Sequence, residues 1–551
     1  MFSFLNVFDG KPDHPMFDVK QAKKLLADLP NEDSFKALNE ITAWMVSVMG
    51  TVGFRPETRL EIIMLLDVTG LPTYERLFQL YIGEPHLQDF KGNQLWQGMY
   101  SFNKALAEAY ALCIEEYQVA VKSPLDFKQL LPIVSVRLLR GLSEQMQLNM
   151  MRYVEVEPLI WNQLCSCYTF VVDSRMADTI VIAYPRQAIQ TTPHHEFLRA
   201  VMLYISSPAT LAPDQIAACY RIAGHLANYF DCKSAPDSDS THYIDLVKPS
   251  APKKVSESPN VLTGLLFFGA AKAVPKVADI IDHHEQVFIQ QEDRSRNVFM
   301  PSGKLTVLKH LQLYWGKNQP SRNQDRQSVT ATLEVIHGMS AIGQMVMRID
   351  QGNLVNVLAQ KVIEPKASPL IKLSLNEGAC TPEIWIVLDV SEKGVGGVIP
   401  KAAGAWVKIG DLCAIKVEGG QIWWVGMIRR LKIGTDGFMQ VGIEILAKKP
   451  LSLFIRAKNN NTGQAFQWEA GVEMTLSKDQ QVILLPDTNN SYANATMLME
   501  SGSYVPDAVY ELMMGTKNRG IKLTGLLEEG GDYERVSFSL LDTESHSLMS
   551  G

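Results

Sequence analysis

A change of period near residue 320 constrains this chain more than any other feature. Up to about residue 230, apolar residues recur at three- and four-residue spacing, with proline inside segment starts and glycine past segment ends. Leu38, Ile41, Trp44, Met45 and Val48 line one such face, with Ser34 as the expected cap and Gly50 as the stop. A second helix should run from Pro56-Glu57 through Leu60, Ile63, Met64 and Leu65 to a stop at Gly70 and Pro72, and a third should end at Gly83 and Pro85. Longer helical patterns cover Leu95–Tyr117, Leu130–Met151, Leu159–Val172, His195–Ile205 and Pro213–Tyr229. After Gln319-Pro320 the sequence turns β-branched and alternating, as in Val329–Ile336, Ile384–Leu388, Leu412–Val417, Ile422–Leu431 and Phe438–Leu446, with turns at Gly419-Gly420 and Asp436-Gly437. A pattern with helical period does not settle as a sheet, so one uniform domain is excluded.

The expected fold is a multidomain α + β chain. Residues 1–231 form an α-helical domain, solenoid-like or a bundle. Residues 232–320 form a linker plus helices, because Cys232–Asn260 is rich in Ser, Pro, Asp and Lys and Val261–Gln291 and Leu305–Trp315 read as helices. Residues 321–450 form an antiparallel β-barrel with an insertion near 340–382, including a short helix near Ala341–Arg348, and 451–551 a C-terminal β-rich unit. A length of 551 residues fits three or four domains at about 150 residues each. The seven cysteines are scattered without a C-x-x-C pair, so neither a disulfide framework nor a zinc ribbon is indicated. The first residues lack the basic start and apolar run of a secretory signal, and the longest apolar stretch falls short of the roughly 20 residues of a membrane span. A cytoplasmic protein is expected, and the net charge of −7 argues against general binding of DNA or RNA.

Enzyme signatures fail: there is no G-x-S-x-G, no Walker loop, no G-x-G-x-x-G after a strand and no H-E-x-x-H. No catalytic residue is therefore assigned, and the chain is read as a non-enzyme without a cofactor. His194-His195-Glu196 and Asp282-His283-His284-Glu285 read as solvated helix faces rather than metal sites, since adjacent helical residues point about 100° apart. Gly530-Gly531-Asp532-Tyr533-Glu534 reads as a β-turn.

Two motifs stand apart. Ser321-Arg322-Asn323-Gln324-Asp325-Arg326 contains R-x-x-x-R and precedes a strand. Leu388-Asp389-Val390-Ser391-Glu392-Lys393-Gly394 contains D-x-S-x-x-G and follows one. Trp424–Leu431, with G-x-I-R, and Val441-Gly442-Ile443-Glu444 come next. In order and strand context, residues 321–447 resemble the PilZ family, small β-barrels that bind cyclic di-GMP. The resemblance implies a ligand site at Arg322, Arg326, Asp389, Ser391 and Gly394. The chemistry suits that ligand. Arginine forks bond guanine edges or phosphate in pairs, a carboxylate accepts from a guanine edge, a hydroxyl adds a bond, and glycine permits close approach. From Pro301 to Gln324 there is no acid, while Lys304, Lys309, Lys317 and Arg322 are present, so an acidic chain keeps one basic approach to the barrel.

The expected role is a bacterial cyclic di-GMP receptor that reorients its helical region toward a protein partner, with motility, pili, adhesion, biofilm or secretion as outputs. The 62 residues between Arg326 and Asp389 exceed what a compact PilZ barrel holds there. If they replace a barrel strand, a nucleotide-independent scaffold is the alternative; an enzyme with no recognisable motif is the third reading.

Overall fold

The computed structural model describes residues 12–541, except 31, 84–89, 120–124, 186–188, 258–262, 292–301, 321–326, 329–330, 348–380, 421, 458–478, 488–491, 493 and 515–516. The chain divides into two compact units, Met1–Ser321 and Arg322–Gly551.

The first unit opens with eight helices: α1 (Val19–Ala27), α2 (Ser34–Gly50), α3 (Pro56–Ile82), α4 (Phe90–Val119), α5 (Leu125–Met151), α6 (Pro158–Asp173), α7 (Pro193–Ile205) and α8 (Pro213–His225). Asp33, not Ser34, caps α2, accepting from the Lys36 amide. The break expected at Gly70 and Pro72 does not occur, because α3 runs through both. Gly70 is a packing residue: a Cβ there would stand 2.7 Å from the Phe102 ring, so its small size lets α4 approach. Helix α5 is buried on nearly every face from Leu131 to Met151, which makes this a bundle around a central helix rather than an open solenoid.

Two arginines of α5, Arg137 and Arg140, find acidic partners inside. Asp67 accepts from the Tyr110 and Tyr184 hydroxyls at 2.6 and 3.0 Å and pairs with Arg137 at 3.2 Å, while Arg137 Nε donates to the Ala183 carbonyl. Glu196 is fully buried and pairs with Arg140 and Arg199 at 3.0 and 3.1 Å. The expectation of a solvated face at His194-His195-Glu196 is thereby corrected. The two guanidiniums hold the Glu196 carboxyl below its usual pKa although burial opposes them. Asp282 and His283 are exposed, as read from the sequence.

Two short strands, β1 (Val181–Ile182) and β2 (Gln190–Thr191), pair between α6 and α7. The stretch read as a linker instead contributes a four-stranded sheet: β3 (Asp231–Lys233), β4 (His242–Asp245), β5 (Lys253–Lys254) and β6 (Leu265–Gly269), in the order β3-β6-β4-β5. Its inner strand β6, Leu-Leu-Phe-Phe-Gly, falls in the Val261–Gln291 stretch that reads as helix from the sequence. Five residues bounded by Gly264 at φ +80° are too few for an isolated helix and enough for a buried strand. Helices α9 (Ala273–Gln291) and α10 (Ser302–Trp315) complete the unit.

The second unit contains β7 (Gln327–Ser328), β8 (Thr332–His337), β9 (Glu383–Val390), β10 (Gly394–Pro400), β11 (Leu412–Val417), β12 (Trp424–Ile433) and β13 (Phe438–Ala447). Strands β8 to β13 close a ring in the order β8-β9-β10-β13-β12-β11, and β7 adds to β9. A second closed ring follows from β14 (Leu451–Ala457), β15 (Gln480–Leu485), β16 (Thr496–Glu500), β17 (Val509–Met514), β18 (Lys517–Glu529) and β19 (Tyr533–Leu540), in the order β14-β15-β16-β19-β18-β17. The C-terminal β unit is therefore a barrel of its own. Its interior holds Ile455, Val482, Leu484, Met497, Leu512, Ile521 and Val536.

The barrels share an apolar cluster. Ile336, Leu412, Ala414, Val425 and Met427 of the first meet Ile483, Leu485, Leu498 and Tyr533 of the second. Residues 339–347 are helical, near the helix read from sequence, and place Met339, Ile342 and Val346 in this cluster. The Met339 amide donates to Asp532, and Gly530 N donates to the Tyr533 carbonyl, so the G-G-D sequence is the hairpin turn expected of it. The interval between the arginine motif and Asp389 does not replace a barrel strand, because β8 pairs directly with β9 on its far side.

Candidate functional site

Strand β9 supplies the carboxylate. Trp385 and Val387 are buried, whereas Ile384 and Ile386 face outward at 62% and 57% exposure. Strict alternation would turn Asp389 inward with Trp385 and Val387. The pairing prevents that: Val387 lies opposite Gly397, yet Asp389 lies opposite Gly396, so Leu388 is an inserted residue. This bulge moves Asp389 to the outer side, in line with Ile384 and Ile386. Gly396 accepts the carboxylate above it, since a Cβ at that position would stand 2.5 Å from Asp389 Oδ1.

The turn after β9 is closed by its own motif. Ser391 donates to the Gly394 carbonyl from both its amide, at 2.8 Å, and its hydroxyl, at 3.1 Å. The hydroxyl keeps acceptor capacity for a ligand. Gly394 is required by its own barrel, because an added Cβ would stand 2.9 Å from the Ile443 carbonyl of β13. Opposite Gly394 in β13 sits Glu444, which binds Arg429 of β12 at 2.7 Å, and Arg429 binds Glu528 of β18 at 2.6 and 3.3 Å. The G-x-I-R and V-G-I-E strands are thus joined by their charged residues beneath the D-x-S-x-x-G turn.

Arg322 and Arg326 lie outside the described residues. The residue after Arg326, Gln327, opens β7 and is registered opposite Val390, with Ser328 opposite Asp389. The backbone leaving the arginine motif therefore runs beside the D-x-S-x-x-G turn. Asp389, Ser391 and Gly394 fall within six residues of one hairpin. On the other side of the arginine motif, α10 is fixed to its unit. Trp315 Nε1 donates to Ser206 Oγ at 2.8 Å, His310 Nε2 lies 2.6 Å from the Ser206 carbonyl, and Lys317 pairs with Asp239 at 2.6 Å. One of the basic residues of the acid-free stretch is thus engaged within its own unit.

Sequence reading missed the bulge at Leu388 and the role of Gly396. The signal was present as a glycine pair, Gly396-Gly397, just past the motif. Among the described residues, no group of three or more His, Cys, Asp or Glu side chains could hold a metal ion. No helix of the described residues is long and apolar enough to cross a membrane.

Residues 20–237 match the family model described as the N-terminal domain of the cyclic-di-GMP receptor FimW. That match covers less than half of the chain and falls on the helical unit, not on the barrels. No curated protein and no solved structure matches the chain.

Proposed function

We propose that the chain is a bacterial cyclic di-GMP receptor that binds the dinucleotide on the outer face of its first barrel. Asp389 accepts from a guanine edge, Arg322 and Arg326 take phosphate or guanine O6 and N7, and Ser391 and Gly394 hold the turn that presents Asp389. The register of β7 against Asp389 and Val390 carries this reading, because it brings the end of the arginine segment to the carboxylate. The match of the helical unit to a cyclic-di-GMP receptor family supports it from a separate part of the sequence.

The arginine segment lies between an anchored α10 and β7, so ligand capture acts on the connection between the units. The consequence is a change in what the helical unit offers a protein partner in the cytosol, with motility or biofilm formation as the regulated process. Binding alone suffices, and no covalent step is needed.

Titration calorimetry of the full chain with cyclic di-GMP, cyclic di-AMP and GTP tests the proposal. Selective heat with cyclic di-GMP, lost in Arg326→Ala and Asp389→Ala with unchanged folding, is the expected result. Absence of heat with every nucleotide would leave the nucleotide-independent scaffold as the better reading.

A further inference from the structure

The two barrels have one topology. Numbering the strands of each ring from first to sixth, both close in the order first-second-third-sixth-fifth-fourth, antiparallel throughout. Corresponding faces can therefore be compared directly. The candidate site occupies the outer face of the second and third strands of the first barrel, β9 and β10. In the second barrel the same strands are β15 and β16.

Their outer faces differ in what covers them. In β9, Ile384 and Ile386 are 62% and 57% exposed. In β15, Val482 and Leu484 point into the barrel, while Ile483 and Leu485 point outward and are still only 0% and 1% exposed. Leu498 of β16 is buried beside them. The cover is the first barrel, through Ile336, Ile342, Leu412, Val425 and Met427. The motif residues differ as well. Ten residues, 486–495, connect β15 to β16 without a D-x-S-x-x-G sequence. The segment before β14 carries Lys448-Lys449-Pro450 where the first barrel has two arginines. Lys448 stands 5.3 Å from the centre of the Trp424 ring, and the Lys449 carbonyl accepts from the Tyr492 hydroxyl at 2.7 Å.

A closed barrel has no strand edge to offer, so a partner must meet it face to face. In the second barrel this face meets an aliphatic protein surface. In the first it combines an aliphatic strip with one carboxylate, a pattern that suits a purine, whose ring face is apolar and whose edge donates hydrogen bonds.

We infer that the second barrel is a duplicate of the first whose receiving face is closed by the first barrel, so that among the described residues the first barrel keeps its receiving face open at Ile384 and Ile386, which with Asp389 beside them take the purine rings of the ligand. The ligand assignment rests on the function proposed above, and the closed face does not.

Hydroxyl-radical footprinting of the unmodified full chain, read residue by residue with and without cyclic di-GMP, tests both parts. Without ligand, Ile384 and Ile386 should oxidise at least about tenfold faster than Ile483 and Leu485. Similar rates at the two strands would overturn the closed face, whatever the chain binds. With ligand at saturation shown by calorimetry, oxidation at Ile384 and Ile386 should fall severalfold. Unchanged rates there in a sample that binds cyclic di-GMP would overturn the purine strip while leaving the receptor reading intact. Binding heat that persists in Asp389→Ala would overturn the assignment of the ligand to this face.

Discussion

Gly396→Ala isolates the placement of Asp389 from its presence. The added methyl carbon would stand 2.5 Å from Oδ1 and 3.1 Å from Cγ of Asp389. Ordinary contact between such atoms begins near 3.4 Å, so the carboxylate must move by about 1 Å. It is the end of a half-exposed side chain, and the cost to folding should stay below about 1 kcal/mol. A hydrogen bond near 2.9 Å stretched by that distance ceases to be one. Losing a well-placed contact to a base edge costs about 1–3 kcal/mol, which is roughly a five- to 150-fold loss of affinity. Calorimetry with cyclic di-GMP should show this weakening beside a nearly unchanged thermal transition, with Asp389→Ala marking complete removal. Gly397→Ala supplies the contrast, because its methyl would stand 3.0 Å from the buried Trp385 ring and should lower stability first. Wild-type affinity in Gly396→Ala, alongside lost binding in Asp389→Ala, would refute the claim that the glycine sets the carboxylate position.

Three further outcomes concern folding. Asp67→Ala leaves Arg137 buried without its carboxylate and should destabilise the helical unit by about 3–5 kcal/mol in chemical denaturation; a loss under about 1 kcal/mol would show that the Tyr110 and Tyr184 hydroxyls suffice. Burial, and secondarily Asp532, push the Asp411 carboxyl up to about 6, so the folded barrels bind its proton more tightly than the unfolded chain does. Its contribution to stability therefore falls as pH rises from about 4 to 6 and is flat above, and Asp411→Asn should be the more stable protein above pH 6 but not near pH 4, as read by urea unfolding across that range. Ser206→Ala removes the acceptor of the buried Trp315 indole and should cost about 1–3 kcal/mol, seen as faster hydrogen exchange in α10; unchanged exchange would show that the His310 contact holds the helix alone.

The period change at residue 320 and most helices were legible because they depend on local spacing. What escaped depended on partners remote in sequence. Gly70 and Pro72 resemble a helix stop, but the close approach of Phe102 from α4 gives Gly70 a packing role. Leu265–Phe268 resembles helix until β3 and β4 pair on either side of it. Glu196 resembles a surface charge until Arg140, 56 positions earlier, meets it inside. At the site, Asp389, Ser391 and Gly394 were found as a motif, yet the outward turn of Asp389 comes from a register shift that no single-strand pattern contains. The motif suggests close ligand approach at Gly394, whereas its nearest constraint is the Ile443 carbonyl. The second barrel was legible only as alternation, since ring closure is a property of pairings.

The division of labour between the two motifs follows from what each could supply to a switch. Reversing an equilibrium from 1:99 to 99:1 takes about 5.5 kcal/mol of differential binding. The hairpin bearing Asp389 is fixed by pairing on both sides, by β7 and β10, and by the Ser391–Gly394 closure. Contacts made to it are therefore nearly the same in both states of the molecule and add affinity without shifting the balance. Hydrogen bonds to charged groups contribute about 1.5–3 kcal/mol each. Two arginines making paired bonds could reach the required sum, and one alone would fall near or below it. In the proposed receptor, Asp389 accordingly contributes affinity alone, whereas Arg322 and Arg326 contribute affinity and also set whether binding is felt by the helical unit.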